Sequence, residues 1–119
     1  MAIHESAENY LETILILSER NAVVRSVDIA AELDFTKPSV SVAMKNLRDG
    51  GYITMDKDSH IFLTEAGKEI ADEMYARHKF LSEWLISLGV DRDTALRDAC
   101  RIEHVISPDS FEAMKKNFS

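Results

Sequence analysis

The sequence predicts a mainly α-helical chain, a winged helix-turn-helix followed by a helical dimerisation domain. Three observations carry this expectation. Two short helical stretches are joined by a tight turn, and the second is rich in small polar residues. Two β-compatible runs come directly after them. A long stretch with helical periodicity then leads away, with little chain left to cover its apolar stripe.

The first helix is expected over 6–20, where Ile3, Tyr10, Leu11, Ile14, Leu15 and Leu17 supply an apolar face and Asn21 stands near the end. Ser26 is expected to cap a second helix over 27–33, and Asp34 with Phe35 forms the tight connection. The segment TKPSVSVAMKNLRDGGY follows. In it Thr36 can cap, Pro38 sits in the first turn where its missing N–H costs nothing, and Gly50 with Gly51 stops the helix. Val40, Met44 and Leu47 recur at helical spacing, so Ser39, Ser41, Lys45 and Arg48 must face solvent or a ligand.

Residues 52–55 and 60–63 read as two strands around the polar turn 56–59, a hairpin wing. A further helix is expected over 64–88, despite Gly67, whose cost inside a helix is about 1 kcal/mol, and Gly89 ends it. Beyond it, 92–119 holds two helical stretches broken at Ser107 and Pro108. These elements divide the chain into a DNA-binding domain, 1–63, and a helical dimerisation domain, 64–119, to which the metal-ligand residues read below also belong. The uncovered stripe of the long helix calls for a second copy of the chain, and a homodimer would present two recognition helices to a palindromic operator.

The 119 residues suit one moderate domain or a small module with an oligomerisation element. No stretch approaches a membrane span and the first residues lack a signal-peptide pattern, so a soluble cytoplasmic protein without a membrane partner is expected. The single cysteine cannot form an internal disulfide, which agrees with a reducing compartment. A net charge of -7 argues at first against nucleic acid. Its distribution permits it: over 25–57 the bases Arg25, Lys37, Lys45, Arg48 and Lys57 balance Asp28, Glu32, Asp34, Asp49 and Asp56, leaving the acid excess elsewhere.

The cysteine opens the segment CRIEHV. On a helix, Cys100, Glu103 and His104 occupy neighbouring positions one turn apart, and thiolate, carboxylate and imidazole together form a transition-metal ligand set.

Divided in this way, the chain resembles the iron- and manganese-dependent repressors of the diphtheria-toxin-repressor and manganese-transport-regulator family. The resemblance runs through AENYLETI, VDIAAELDFTKPSVSVAMKNLRDGGYI, LTEAGKEIA, ARHKFLSEWLISLGV and CRIEHVIS in order. It implies a metal-loaded homodimer on double-stranded operator DNA, repressing metal-uptake genes. At the family's metal positions stand Asn9, Glu12, His78, Cys100, Glu103 and His104. Cys100 resembles the iron branch and Glu12 the manganese branch, whereas Asn9 matches neither. Carboxylates and an amide oxygen favour Mn²⁺, and the cysteine with two histidines shifts preference toward Fe²⁺, Co²⁺ or Zn²⁺. Fe²⁺ is favoured over Mn²⁺ in the cell, while Zn²⁺ and Co²⁺ can bind in vitro. Leu96 and Ser82 replace a histidine and a glutamate of the family's ancillary site, and the chain is too short for the SH3-like domain of the longer iron regulators.

Thr36, Lys37, Pro38, Ser39 and Ser41 are the residues expected at the DNA groove, with Lys45, Arg48 and the wing residue Lys57 on the phosphate backbone. Val42 replaces a glutamine of the iron type and would make an apolar base contact. His4 and His60 are expected to be bystanders. A winged-helix regulator not controlled by divalent metal is the alternative. An enzyme is disfavoured because several protein ligands leave little open coordination for substrate.

Overall fold

In the computed structural model, residues 5–118 are described. Ile3 and His4 lie outside them. The chain divides into two compact units, Met1–Asp72 and Glu73–Ser119.

The first unit begins with α1, Glu5–Arg20, whose Tyr10, Leu11, Ile14, Leu15 and Leu17 are buried at the expected periodicity. Next comes α2, Ser26–Leu33, which starts one residue earlier than expected. Ser26 is therefore inside the helix and Arg25 takes the cap position, its backbone N–H donating to the Asp28 carboxylate at 2.9 Å. That bond satisfies the Arg25 N–H, a different donor from the first-turn N–H groups that a capping Ser26 hydroxyl would accept from. Asp34 adopts a left-handed conformation, φ 56°, and turns the chain tightly into α3, Lys37–Asp49. Thr36 caps α3 by accepting from Ser39 N–H at 3.3 Å, Pro38 lies in the first turn, and Gly51 leaves the helix at φ +85°.

Two short strands, β1 (Ile53–Met55) and β2 (Ile61–Leu63), pair antiparallel with Thr54 opposite Phe62. Ile53 and Ile61 point inward, while Thr54 and Phe62 face out, the period-two pattern of a half-buried hairpin. Ile61 N–H also donates to Val24 O at 2.7 Å. Val24, Ile29, Val40, Met44 and Leu47 complete the core, each such side chain contributing about 1.5–3 kcal/mol by burial.

The long helix α4, Glu65–Ser87, begins in the first unit and continues into the second. Its start is pinned to the chain ahead of β1. Thr64 N–H donates to Tyr52 O at 3.0 Å and the Thr64 hydroxyl to Gly51 O at 2.7 Å. That approach explains Gly67, because a Cβ there would stand 2.0 Å from the Tyr52 carbonyl oxygen. A residue that sequence propensity marks as a helix defect is thus a packing requirement.

The second unit holds the rest of α4 with α5 (Arg92–Val105) and α6 (Pro108–Phe118). Asp91 caps α5 by accepting from Thr94 N–H at 3.0 Å, and this bond holds its carboxyl below the ordinary value. Ser107 accepts from Ser110 N–H at 3.1 Å and Pro108 opens α6, so the break read at these two residues is a helix start. Leu81, Ala99 and Phe111 form the core, with Phe80, Trp84, Ile102, Ile106 and Met114 around them. Ala99 is small enough to let α5 lie close to its neighbours.

Candidate metal centre and nucleic-acid interface

In the second unit α5 presents Cys100, Glu103 and His104 on one face, and their donor atoms lie within 4.8 Å of one another. The helical spacing produces this cluster directly. The Glu103 side chain is fully buried, at 0% exposure. Its Oε2 lies 3.2 Å from His78 Nδ1 on α4, and its Oε1 lies 3.2 Å from His104 Nε2. One buried carboxylate thus stands between two imidazoles, with a thiol one turn away. This is a soft-to-borderline set of sulfur, nitrogen and oxygen donors, which fits a first-row divalent transition ion better than Ca²⁺ or Mg²⁺.

Arg77, the neighbour of His78, is buried. Its Nη1 donates to the carbonyls of Glu103 at 3.0 Å and Ile106 at 3.1 Å, and its Nη2 to Glu73 at 3.0 Å. The guanidinium also lies 5.4 Å over the Phe111 ring. It satisfies the last carbonyls of α5 and so fixes the helix turn that carries Glu103 and His104.

Asn9 and Glu12 stand one turn apart on α1 in the first unit. Glu12 is buried and Asn9 partly exposed. Leu96 offers no donor, and the Ser82 hydroxyl bonds to Lys79 O at 3.2 Å, inside its own helix.

On the first unit, Lys37, Pro38, Ser39, Ser41, Val42, Lys45 and Arg48 are exposed along α3, and Lys57 is exposed in the wing turn. The hydroxyl of Thr36 is engaged within the cap, donating to Ser39 Oγ at 2.8 Å. Ser41, Lys45 and Arg48 line a cleft of about 490 Å³ together with Arg25 and Ser26 from the start of α2 and Asp58 and Ser59 from the wing turn. The sequence counts Arg25 among the bases of 25–57 but does not place it at the DNA, because its position beside α3 depends on the tertiary fold.

His60, expected to be a bystander, lies between two polar partners. Its Nδ1 lies 3.0 Å from Asp56 Oδ2 and its Nε2 lies 3.2 Å from Arg25 Nη2. Asp56, Asp58 and His60 have donor atoms within 4.8 Å of one another. The Asp56 carboxylate is already occupied by N–H groups of the turn, at 2.9 Å from Asp58 and 2.9 Å from His60. These bonds, led by the one from His60, hold its carboxyl below the ordinary value.

Two family models match the chain in order. Residues 2–61 match the iron dependent repressor N-terminal DNA binding domain, and residues 64–118 match the iron dependent repressor metal binding and dimerisation domain. The transcriptional regulator MntR of Escherichia coli O6:H1 is 34% identical over 111 residues, covering 93% of this chain and 72% of that protein. An HTH-type transcriptional regulator of Methanocaldococcus jannaschii, MJ0568, is 34% identical over 113 residues, covering 93% of this chain and 90% of that one. Among solved structures, the manganese regulator SloR superposes with a TM-score of 0.82 at 28% identity, covering 98% of this chain and 54% of that one. The chain thus spans about half the length of SloR. With a winged helix-turn-helix in one half, a Cys/Glu/His cluster around the buried Glu103 in the other and both domain profiles matched in order, the chain belongs to the iron-dependent repressor family of metal-dependent transcriptional repressors.

Proposed function

We propose that this chain acts in the cytoplasm as a homodimer that binds palindromic operator DNA when loaded with Fe²⁺ or Mn²⁺, and that it controls uptake of one of these metals. It is a regulator in this reading, not an enzyme. The observation that carries it is the fully buried Glu103 carboxylate between His78 and His104, with Cys100 in the same cluster.

His78, Cys100, Glu103 and His104 are the donors of the metal-binding and dimerisation domain, which begins at residue 64, and Asn9 and Glu12 are those of the DNA-binding domain. A divalent ion bound at the second unit's cluster would supply positive charge and several directional bonds at once, which would hold the α4 donor His78 and the α5 donors Cys100, Glu103 and His104 in one arrangement. Arg77 prepares the cluster by tying the end of α5 to α4, so that Glu103 and His104 are ordered in advance. In the DNA-binding domain, Thr36, Lys37, Pro38, Ser39, Ser41 and Val42 face the groove. Lys45, Arg48 and Lys57 meet phosphates.

A random duplex pool selected with Mn²⁺ or Fe²⁺ under anaerobic conditions supplies the operator. Anisotropy titrations then give its affinity with metal and after chelation. Metal should tighten binding about 5–150-fold, the usual span of such couplings. Equal affinity in the two states would overturn the reading, as would an unchanged metal response in the Cys100→Ala, His104→Ala double variant.

A further inference from the structure

The wing carries a chain of polar contacts that runs back to the start of α2. Asp56 accepts from two turn N–H groups and faces His60 Nδ1, while His60 Nε2 faces the Arg25 guanidinium. An ionised carboxylate has only acceptors and a guanidinium only donors. The arrangement these partners favour has Nδ1–H donating to Asp56 and Nε2 accepting from Arg25.

Arg25 uses one N–H for this bond, and its backbone N–H is held by Asp28. The rest of the guanidinium fork stays exposed, on a cleft that it shares with Lys45 and Arg48. Asp58 also lines that cleft, so three cations face one carboxylate there. A long cation on a flexible stem loses rotamer freedom when it grips a phosphate, and a partner that orients it beforehand removes part of that cost.

We propose that Arg25 is a contact to the DNA phosphate backbone and that His60, backed by Asp56, is its positioning residue. The wing then acts on DNA affinity through a residue at the start of α2 as well as through its own turn. This rests on the DNA-binding reading above, and the test separates the two.

Binding of the full chain with Mn²⁺ to a fluorescein-labelled, mixed-sequence duplex of about 30 base pairs is followed by anisotropy from about 50 to about 200 mM salt. Each phosphate contact adds close to 0.9 to the slope of log affinity against log salt. For Arg25→Gln this salt rise should cost about threefold less affinity than for the unsubstituted chain, and equally for any duplex sequence. His60→Ala should lose the same increment. His60→Gln should recover most of it, since its amide offers one donor and one acceptor. Combining Arg25→Gln with His60→Ala should cost no more than Arg25→Gln alone. An unchanged slope in Arg25→Gln overturns the phosphate contact, and additive losses in the double variant overturn the positioning role. Absence of duplex binding by the unsubstituted chain would overturn the DNA-binding reading and this inference with it.

Discussion

A carboxylate buried as deeply as that of Glu103 is costly to ionise unless positive charge or strong donors surround it. His78 and His104 stand at that carboxylate, and Cys100 completes a cluster whose chemistry matches a divalent ion. Glu103→Gln keeps the volume and removes the charge. It should lower Mn²⁺ affinity at least about a hundredfold, more than the usual loss for a residue that only supports a ligand, and calorimetric titration checks it. Unaltered affinity would make the cluster a structural polar core. Three of these donors were legible in the sequence because a helix brings positions 100, 103 and 104 together by geometry alone. His78 was not legible in this way, since its meeting with Glu103 joins two helices, and only the family resemblance pointed to it. Arg77 was missed because nothing in its local sequence distinguishes a buried arginine from an exposed one.

Elements were read more completely than their ends. The order of helices and strands follows from apolar periodicity, turn residues and caps, which are local signals. The start of α2 lies one residue earlier than expected: Arg25 takes the cap position, where the Asp28 carboxylate accepts from its backbone N–H, and Ser26 stands inside the helix. Gly67 is a second case in which a long-range contact decided a residue. Gly67→Ala should gain helix propensity of about 1 kcal/mol yet destabilise the protein by roughly 1–3 kcal/mol net, because backbone must move away from the new Cβ. Urea unfolding measures this, and a stabilised variant would contradict the close approach at Tyr52. The α5 cap gives a prediction in pH. The folded-state carboxyl of Asp91 titrates below its ordinary value, so its contribution is present above that value and is lost as pH falls through the folded one. Asp91→Asn keeps an acceptor for Thr94 N–H without the charge. The melting-temperature gap between the two proteins should shrink as pH drops from about 5 to about 3. A gap constant over that range would remove the charge from the account of the cap.

For the whole molecule, the proposed switch requires reciprocity. If metal tightens operator binding by a given factor, saturating operator must tighten metal binding by the same factor, about 5–150-fold. Mn²⁺ titrations with and without operator duplex check this, and a metal affinity indifferent to DNA would mean that the two sites are not linked. The wing has a further consequence, for solubility. An exposed hairpin offers unpaired N–H and C=O groups along its outer edges, the usual template for strand addition and aggregation. Here each strand has only three residues, β2 spends a bond on Val24, and Asp56, Lys57 and Asp58 place charges of both signs at the tip. A wing this short and this charged can stay open to DNA without recruiting the wings of neighbouring copies into a growing sheet.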